Sequence, residues 1–177
     1  MSVPLSMTLD EFWEIIEVTR RRASDPWKHH EALLEQLEAF NAQEVFSFAA
    51  HFYARMQEAL RNDLWAATEI VEGGCSDDSF IHVRAWLIAQ GREFFEAAMY
   101  DPQIVGERAS EGIAYEQFEA VVLEACRQKG DFSPQLVKTV PATSNGKVRN
   151  PGWDLICREE DIPRLFHKLW TQFRASK

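Results

Sequence analysis

Residues 62–99, NDLWAATEIVEGGCSDDSFIHVRAWLIAQGREFFEAAM, decide the fold. The stretch holds two tryptophans, a Gly73-Gly74 break, an acidic Ser76-Asp77-Asp78 turn and the arginines Arg84 and Arg92. Leu64 to Glu72 reads as a short helix stopped by Gly73-Gly74, because glycine takes the left-handed C-terminal conformation without steric cost. Ser76 suits the N-cap of a second helix, and Asp77 and Asp78 place negative charge at its positive end. Phe80, Val83, Leu87, Phe94 and Ala98 then recur at helical spacing straight through Gly91. One continuous helix from Asp77 to Met99 is therefore predicted, central in the fold. Gly91 would lie on its inner face, admitting a close neighbour at a cost of about 1 kcal/mol relative to alanine. A break at Gly91 is the alternative.

Upstream, three helices are expected to pack on this stretch. Thr8 and Glu11 form a capping box ahead of Leu9, Phe12, Trp13 and Ile16 at helical spacing, and Arg20-Arg21-Arg22 fall in the last turn of that helix. Asp25-Pro26 starts a second helix with Trp27, His30, Leu33, Leu34 and Leu37 inward. Asn41 caps a third, running to about Arg61, with Val45, Phe48, Ala49, Phe52, Met56 and Leu60 on one face. Downstream, Asp101-Pro102 ends the central helix, 106–112 reads as loop, and Tyr115 to Gln128 returns to helix before Gly130. Periodicity is lost from Asp131 to Arg158, where Leu136 to Val140 and Trp153 to Cys157 are candidates for a small β-hairpin. Asp161 is the expected cap of a last helix, Ile162 to Phe173, whose Leu165, Phe166, Leu169 and Trp170 need a groove on the central helix.

The fold class is thus all-α, a compact bundle of about seven or eight helices, with a β-hairpin or irregular segment near 132–158. The 177 residues fit one domain, a helical core over 7–130 with a C-terminal extension over 131–177. A hydrophobic content of 46% excludes a disordered chain, and no apolar run is long enough to span a membrane. Met1 to Ser6 lacks the pattern of a signal peptide. Cys75, Cys126 and Cys157 are odd in number and widely spaced, which suggests reduced thiols in a cytoplasm rather than a disulfide or zinc framework.

The net charge of −9 is uneven. Met1 to Cys126 carries 9 basic and 23 acidic residues, a net of −14, while Arg127 to Lys177 carries 10 basic and 5 acidic, a net of +5. Such a body repels nucleic acid and anionic membranes.

Three kinds of chemistry compete at the acidic turn. Asp77 and Asp78 with His82 one turn on, completed by Glu69 or Glu72, would be a metal site, but no established ligand spacing supports it. Cys75 before a helix start, with His82 as base, would be a nucleophile, yet two aspartates oppose its ionisation. Arg84 and Arg92, eight residues apart and near one face of a continuous helix, would line an anion pocket with Trp86 and Gln90. Against all three stands a plainer structural reading: capping by Ser76, dipole compensation by the aspartates, and an Arg84 ion pair to Asp77 or Asp78 that locks the turn.

Trp65-Ala66-Ala67, Gly73 to Phe80, Arg84 to Ile88 and Gln90-Gly91-Arg92, with Phe12-Trp13-Glu14-Ile15-Ile16 near the start, resemble the signature of a bacterial domain-of-unknown-function family, number 4240. The resemblance covers roughly residues 7 to 130. Ser79 stands where that family has glycine, and Ile81-His82 where aromatic and acidic residues are common. The resemblance implies a helical bacterial domain and no activity.

The function read from the chain is a non-enzymatic binding module. Its partner is a basic protein that the −14 body would attract and neutralise, as immunity proteins do with toxins. The alternatives are a hydrolase working through Asp77 and Asp78, with or without a divalent metal, and a regulatory domain binding a small anion. The candidate site is Cys75, Ser76, Asp77, Asp78, Arg84, Trp86, Gln90 and Arg92. No catalytic residue, metal or cofactor is assigned.

Overall fold

Two capping boxes set the start of the bundle in the computed structural model, which describes residues 5–109, 112–140 and 159–175. The Thr8 hydroxyl accepts from the Glu11 amide while the Glu11 carboxylate takes the Thr8 amide, opening α1 (Leu9–Arg22). Asn41 and Glu44 repeat the arrangement at the start of α3 (Ala42–Glu58). Between them, Asp25 caps a 3-10 turn (Pro26–Lys28) that leads into α2 (His29–Glu38). The third helix stops at Glu58, so Leu60 lies in the following turn and is 55% exposed rather than inward.

The decisive stretch folds as α4 (Asn62–Glu72), α5 (Asp77–Ala89) and α6 (Arg92–Tyr100). Gly73 ends α4 at φ +86, as expected of a left-handed C-cap. The continuous helix from Asp77 to Met99 does not form. Gly91 sits at φ +91 and ψ 170, a conformation essentially reserved for glycine, and it separates α5 from α6. Phe80, Val83, Leu87, Phe94 and Ala98 are buried all the same. The chain turns at Gly91 and still delivers each of them to the core, which is why the periodicity concealed the break. Gly91 also meets α1 closely: a Cβ there would lie 2.0 Å from a Glu17 carboxylate oxygen.

Every residue of α5 from Val83 to Ala89 is buried, so the second half of this helix is enclosed on all sides. It packs against α3 and α7 (Glu116–Lys129), while α2 lies between α1 and α7. Phe12, Phe48, Phe52, Phe95 and Phe118 fill the centre at 0% exposure, with the Phe12 ring 5.0 Å from Phe48.

The C-terminal part departs from expectation in three ways. Leu136 begins no strand, because Pro134–Thr139 is a 3-10 helix; Trp153 to Cys157 lies outside the described residues. The last helix is two pieces, α8 (Ile162–Leu165) and α9 (His167–Phe173), interrupted at Phe166, and Asp161 makes no side-chain cap. Finally, α9 docks on α4 and the 3-10 segment Pro102–Glu107 rather than on the decisive helix. The small side chains of Ala66 and Ala67 and the bare Gly106 give Leu169 room there that α5, already enclosed, does not offer. Among the described residues every regular element is helical, and no helix is long and apolar enough to cross a membrane.

Candidate functional site

The eight residues singled out in the sequence divide into a surface turn and a set of packing groups. Ser76 caps α5, its hydroxyl accepting from the Ser79 amide at 3.1 Å. Asp77 and Asp78 are exposed in the first turn and make no ion pair among the described residues. Cys75 is half-buried. Burial, with Glu69, Glu72 and Asp77 nearby, pushes its thiol up to about 11. At neutral pH it is therefore protonated and a poor nucleophile. Among the described residues no three His, Cys, Asp or Glu side chains converge as a metal site would require.

Arg84 does not pair with the aspartates. Its guanidinium turns inward, donating to the Met56 carbonyl at 2.8 Å and the Phe80 carbonyl at 3.3 Å, and lies 5.3 Å from the Phe80 ring centroid. Met56 is in the last turn of α3, whose carbonyls lack helical partners, so a buried cation there completes a helix terminus. Trp86 is buried edge-on against Phe94 at 5.7 Å. Gln90 accepts from Arg108 through both its main-chain and side-chain oxygens. Arg92 bonds Asp10 at 2.7 Å and Glu96 at 2.8 Å, tying α6 to α1. The expected common face of Arg84 and Arg92 presupposed a continuous helix. With the turn at Gly91, one serves the end of α3 and the other the start of α1, so they line no shared pocket.

A different site emerges where α1, the end of α2 and the start of α3 meet. A groove of about 330 Å³ opens there. Ile15, Val18 and Phe40, each half-buried, provide apolar lining, while Glu11, Glu14 and Glu44 provide carboxylates. One wall is the segment Ser6-Met7, held to α3 by three bonds, one of them between the Ser6 and Ser47 hydroxyls at 3.1 Å. The Ser6 amide donates to the Ser47 hydroxyl at 2.9 Å, and the His51 Nε2 bonds the Met7 carbonyl at 2.9 Å. Burial holds His51 below its usual pKa, so the ring is neutral and its Nε2 carries the proton donated to that carbonyl.

The acidic side chains of the groove are fixed by local structure. The Thr8 amide and hydroxyl donate to Glu11 and keep its carboxyl below the usual carboxylate range. Glu44 occupies the matching position in the second capping box. Glu14 is exposed and makes no hydrogen bond or ion pair among the described residues. Arg22, which bonds the groove residue Gln36 at 3.4 Å, is engaged with Glu35 at 2.6 Å.

Sequence reasoning identified both helix starts but not their meeting. A signal existed: Ile15 and Val18 form a second apolar strip on α1, beside the core stripe of Phe12, Trp13 and Ile16. A helix with apolar residues on two faces has more to cover than one core.

The family model described as "Protein of unknown function (DUF4240)" matches residues 7–128, and the chain belongs to this family. No curated protein and no solved structure matches the chain. The signature residues have architectural roles here. Trp65 packs on Phe80 at 4.9 Å, and Arg84 lies against Phe80 while bonding the end of α3. Ala66 and Ala67 form the surface on which α9 rests.

Proposed function

For a member of this family, we propose a non-enzymatic binding module of the bacterial cytoplasm that receives a basic protein partner at the groove between α1, α2 and α3, neutralising it as an immunity protein does. The observation that carries this reading is the pairing of an apolar lining with three glutamates in one concave site. Lysine and arginine have an aliphatic stem and a charged head, and the groove offers a complement to each. Ile15, Val18 and Phe40 would take the stem, and Glu14, whose carboxylate has no partner of its own among the described residues, would take the head. The net of −14 over Met1 to Cys126 supports the same reading, because a strongly negative body accelerates encounter with a positive one. The hydrolase alternative draws no such support: the Cys75 thiol is protonated at neutral pH, and Asp77 and Asp78 stand apart from the groove.

The test is calorimetric titration of the full chain with a cationic amphipathic peptide and an anionic one of equal length. The cationic peptide should bind, and its affinity should fall as salt rises from about 50 to about 300 mM, since surface charges are screened over that range. Glu14→Arg should weaken binding by about tenfold or more, whereas Glu107→Arg, on an exposed glutamate outside the groove, should leave it within about twofold. Equal loss in both variants would mean that only net charge matters, and the groove would lose its role.

A further inference from the structure

The dock beneath α9 is built differently from the rest of the interior. Phe166 and Leu169, both at 0% exposure, join Ala66, Ala67 and Ile70 of α4 in an apolar cluster distinct from the main core. Val71 and Phe173 alone are shared between the rims of the two clusters. Leu169 and Phe173 also lie against Gly106, and polar ties sit at the edges. The Lys168 amide donates to the Gln103 side chain at 3.0 Å, and the Gln172 side chain donates to the Gly106 carbonyl at 3.1 Å. Arg174 donates to the Glu69 carbonyl at 2.8 Å, and its guanidinium lies over Gly73, where a Cβ would be 3.2 Å from Nη2.

Each part of this dock has the form of a helix receptor. Ala66, Ala67 and Gly106 are small enough for a helix to approach closely, and a Cβ on Gly106 would lie 2.5 Å from the Leu169 side chain. Phe166 at the N-cap of α9, and Leu169 and Phe173 within the helix, are spaced three and four apart and form its row of anchors. The Glu69 carbonyl, which already accepts the Gly73 amide at the C-terminal end of α4, accepts from a cation as well, just beyond the third anchor. The receptor walls, α4 and Pro102–Glu107, lie inside the matched family region 7–128, while the occupant lies outside it.

We propose that the face made by α4 and Pro102–Glu107 is a helix-docking surface of the family domain, held in this chain by its own α9. It takes a short amphipathic helix with an apolar N-cap residue, apolar residues three and seven positions after it, and an arginine following. The chain's α9 acts as a competitor in cis, so a partner helix binds only when α9 is released. This surface is separate from the glutamate-rimmed groove and independent of it.

The experiment uses the full chain and a fluorescent peptide of residues 161–175. Leu169→Asp places a charge in the apolar dock and releases α9. Because the main core is a different cluster, this variant should keep the far-ultraviolet dichroism and amide protection of α1 to α7. It should bind the peptide about tenfold or more tightly than the wild-type chain, in which the tethered helix competes at a high effective concentration. Adding Gly106→Val to the Leu169→Asp chain fills the space for Leu169 and should abolish binding. It also separates this surface from the acidic groove, because the peptide is itself cationic and Gly106 does not line that groove. Global unfolding of Leu169→Asp would overturn the proposal by showing that α9 is integral to the core. A folded Leu169→Asp chain that fails to bind the peptide would overturn it too, as would binding unaffected by Gly106→Val.

Discussion

His29 links the stability of this protein to pH, and the size of the link follows from its surroundings. The ring is 1% exposed, and Nε2 lies 2.8 Å from the Thr19 hydroxyl oxygen. That hydroxyl is also within 2.8 Å of the Ile15 carbonyl, to which it donates, leaving its oxygen to accept from a neutral imidazole. Burial is the main force against the charged ring. Arg20 adds to it and Glu17 opposes it, and the pKa falls from 6.5 to about 4. The unfolded chain takes up a proton near pH 6.5 while the folded chain resists until about pH 4, so stability falls as pH falls through that window. At about 1.36 kcal/mol per unit, the loss relative to neutral pH is about 2 kcal/mol at pH 5 and about 3 kcal/mol at pH 4. His51, also held neutral by burial, titrates in the same direction, so the measurement must be a difference. Urea unfolding of wild type and His29→Gln at pH 7.5, 6 and 5 provides it, since glutamine retains a donor for Thr19 but does not titrate. The wild type should lose about 2 kcal/mol more than the variant between pH 7.5 and pH 5. Parallel curves for the two proteins would show that His29 does not carry this pH dependence.

Three further outcomes follow from the geometry. Gly91→Ala should destabilise by about 1–3 kcal/mol, because alanine must adopt a glycine-only conformation; a continuous helix there would instead gain about 1 kcal/mol, so the sign of the shift in urea midpoint decides. Arg84→Met should cost about 1–3 kcal/mol in the same assay by leaving the buried Met56 carbonyl without its donor. Cys75 should react slowly with a disulfide reagent at pH 7.5, and its rate should keep rising beyond pH 9. Saturation near the ordinary thiol value would show that burial and the surrounding carboxylates do not act on it.

What could be read from the chain was local. Thr8 with Glu11, Asn41 with Glu44, Gly73, Ser76 and Pro102 act within a turn of themselves, and each marks the boundary expected of it. What could not be read depends on direction. Apolar spacing through Gly91 is the same whether the chain continues or turns, because periodicity reports burial and not φ. Proximity in sequence points Arg84 to Asp77 or Asp78, but its partner is a carbonyl 28 residues earlier on another helix. The groove is formed by three elements, and the second apolar strip of α1, Ile15 and Val18, shows only that something covers it, not that α2 and α3 meet there. The candidate turn at Gly73 to Asp78 reduces largely to capping, and Gly73 has a second role only because Arg174, a hundred-odd residues later, lies across it.

Where a basic partner sits on this protein can be mapped residue by residue. Amide shifts of the isotopically labelled chain, followed during titration with the cationic peptide, should change most at Ile15, Val18, Gln36 and Phe40 around the groove, with Glu14→Arg erasing the pattern. Shifts centred on Cys75 to Asp78, or spread evenly over the acidic surface, would contradict the account.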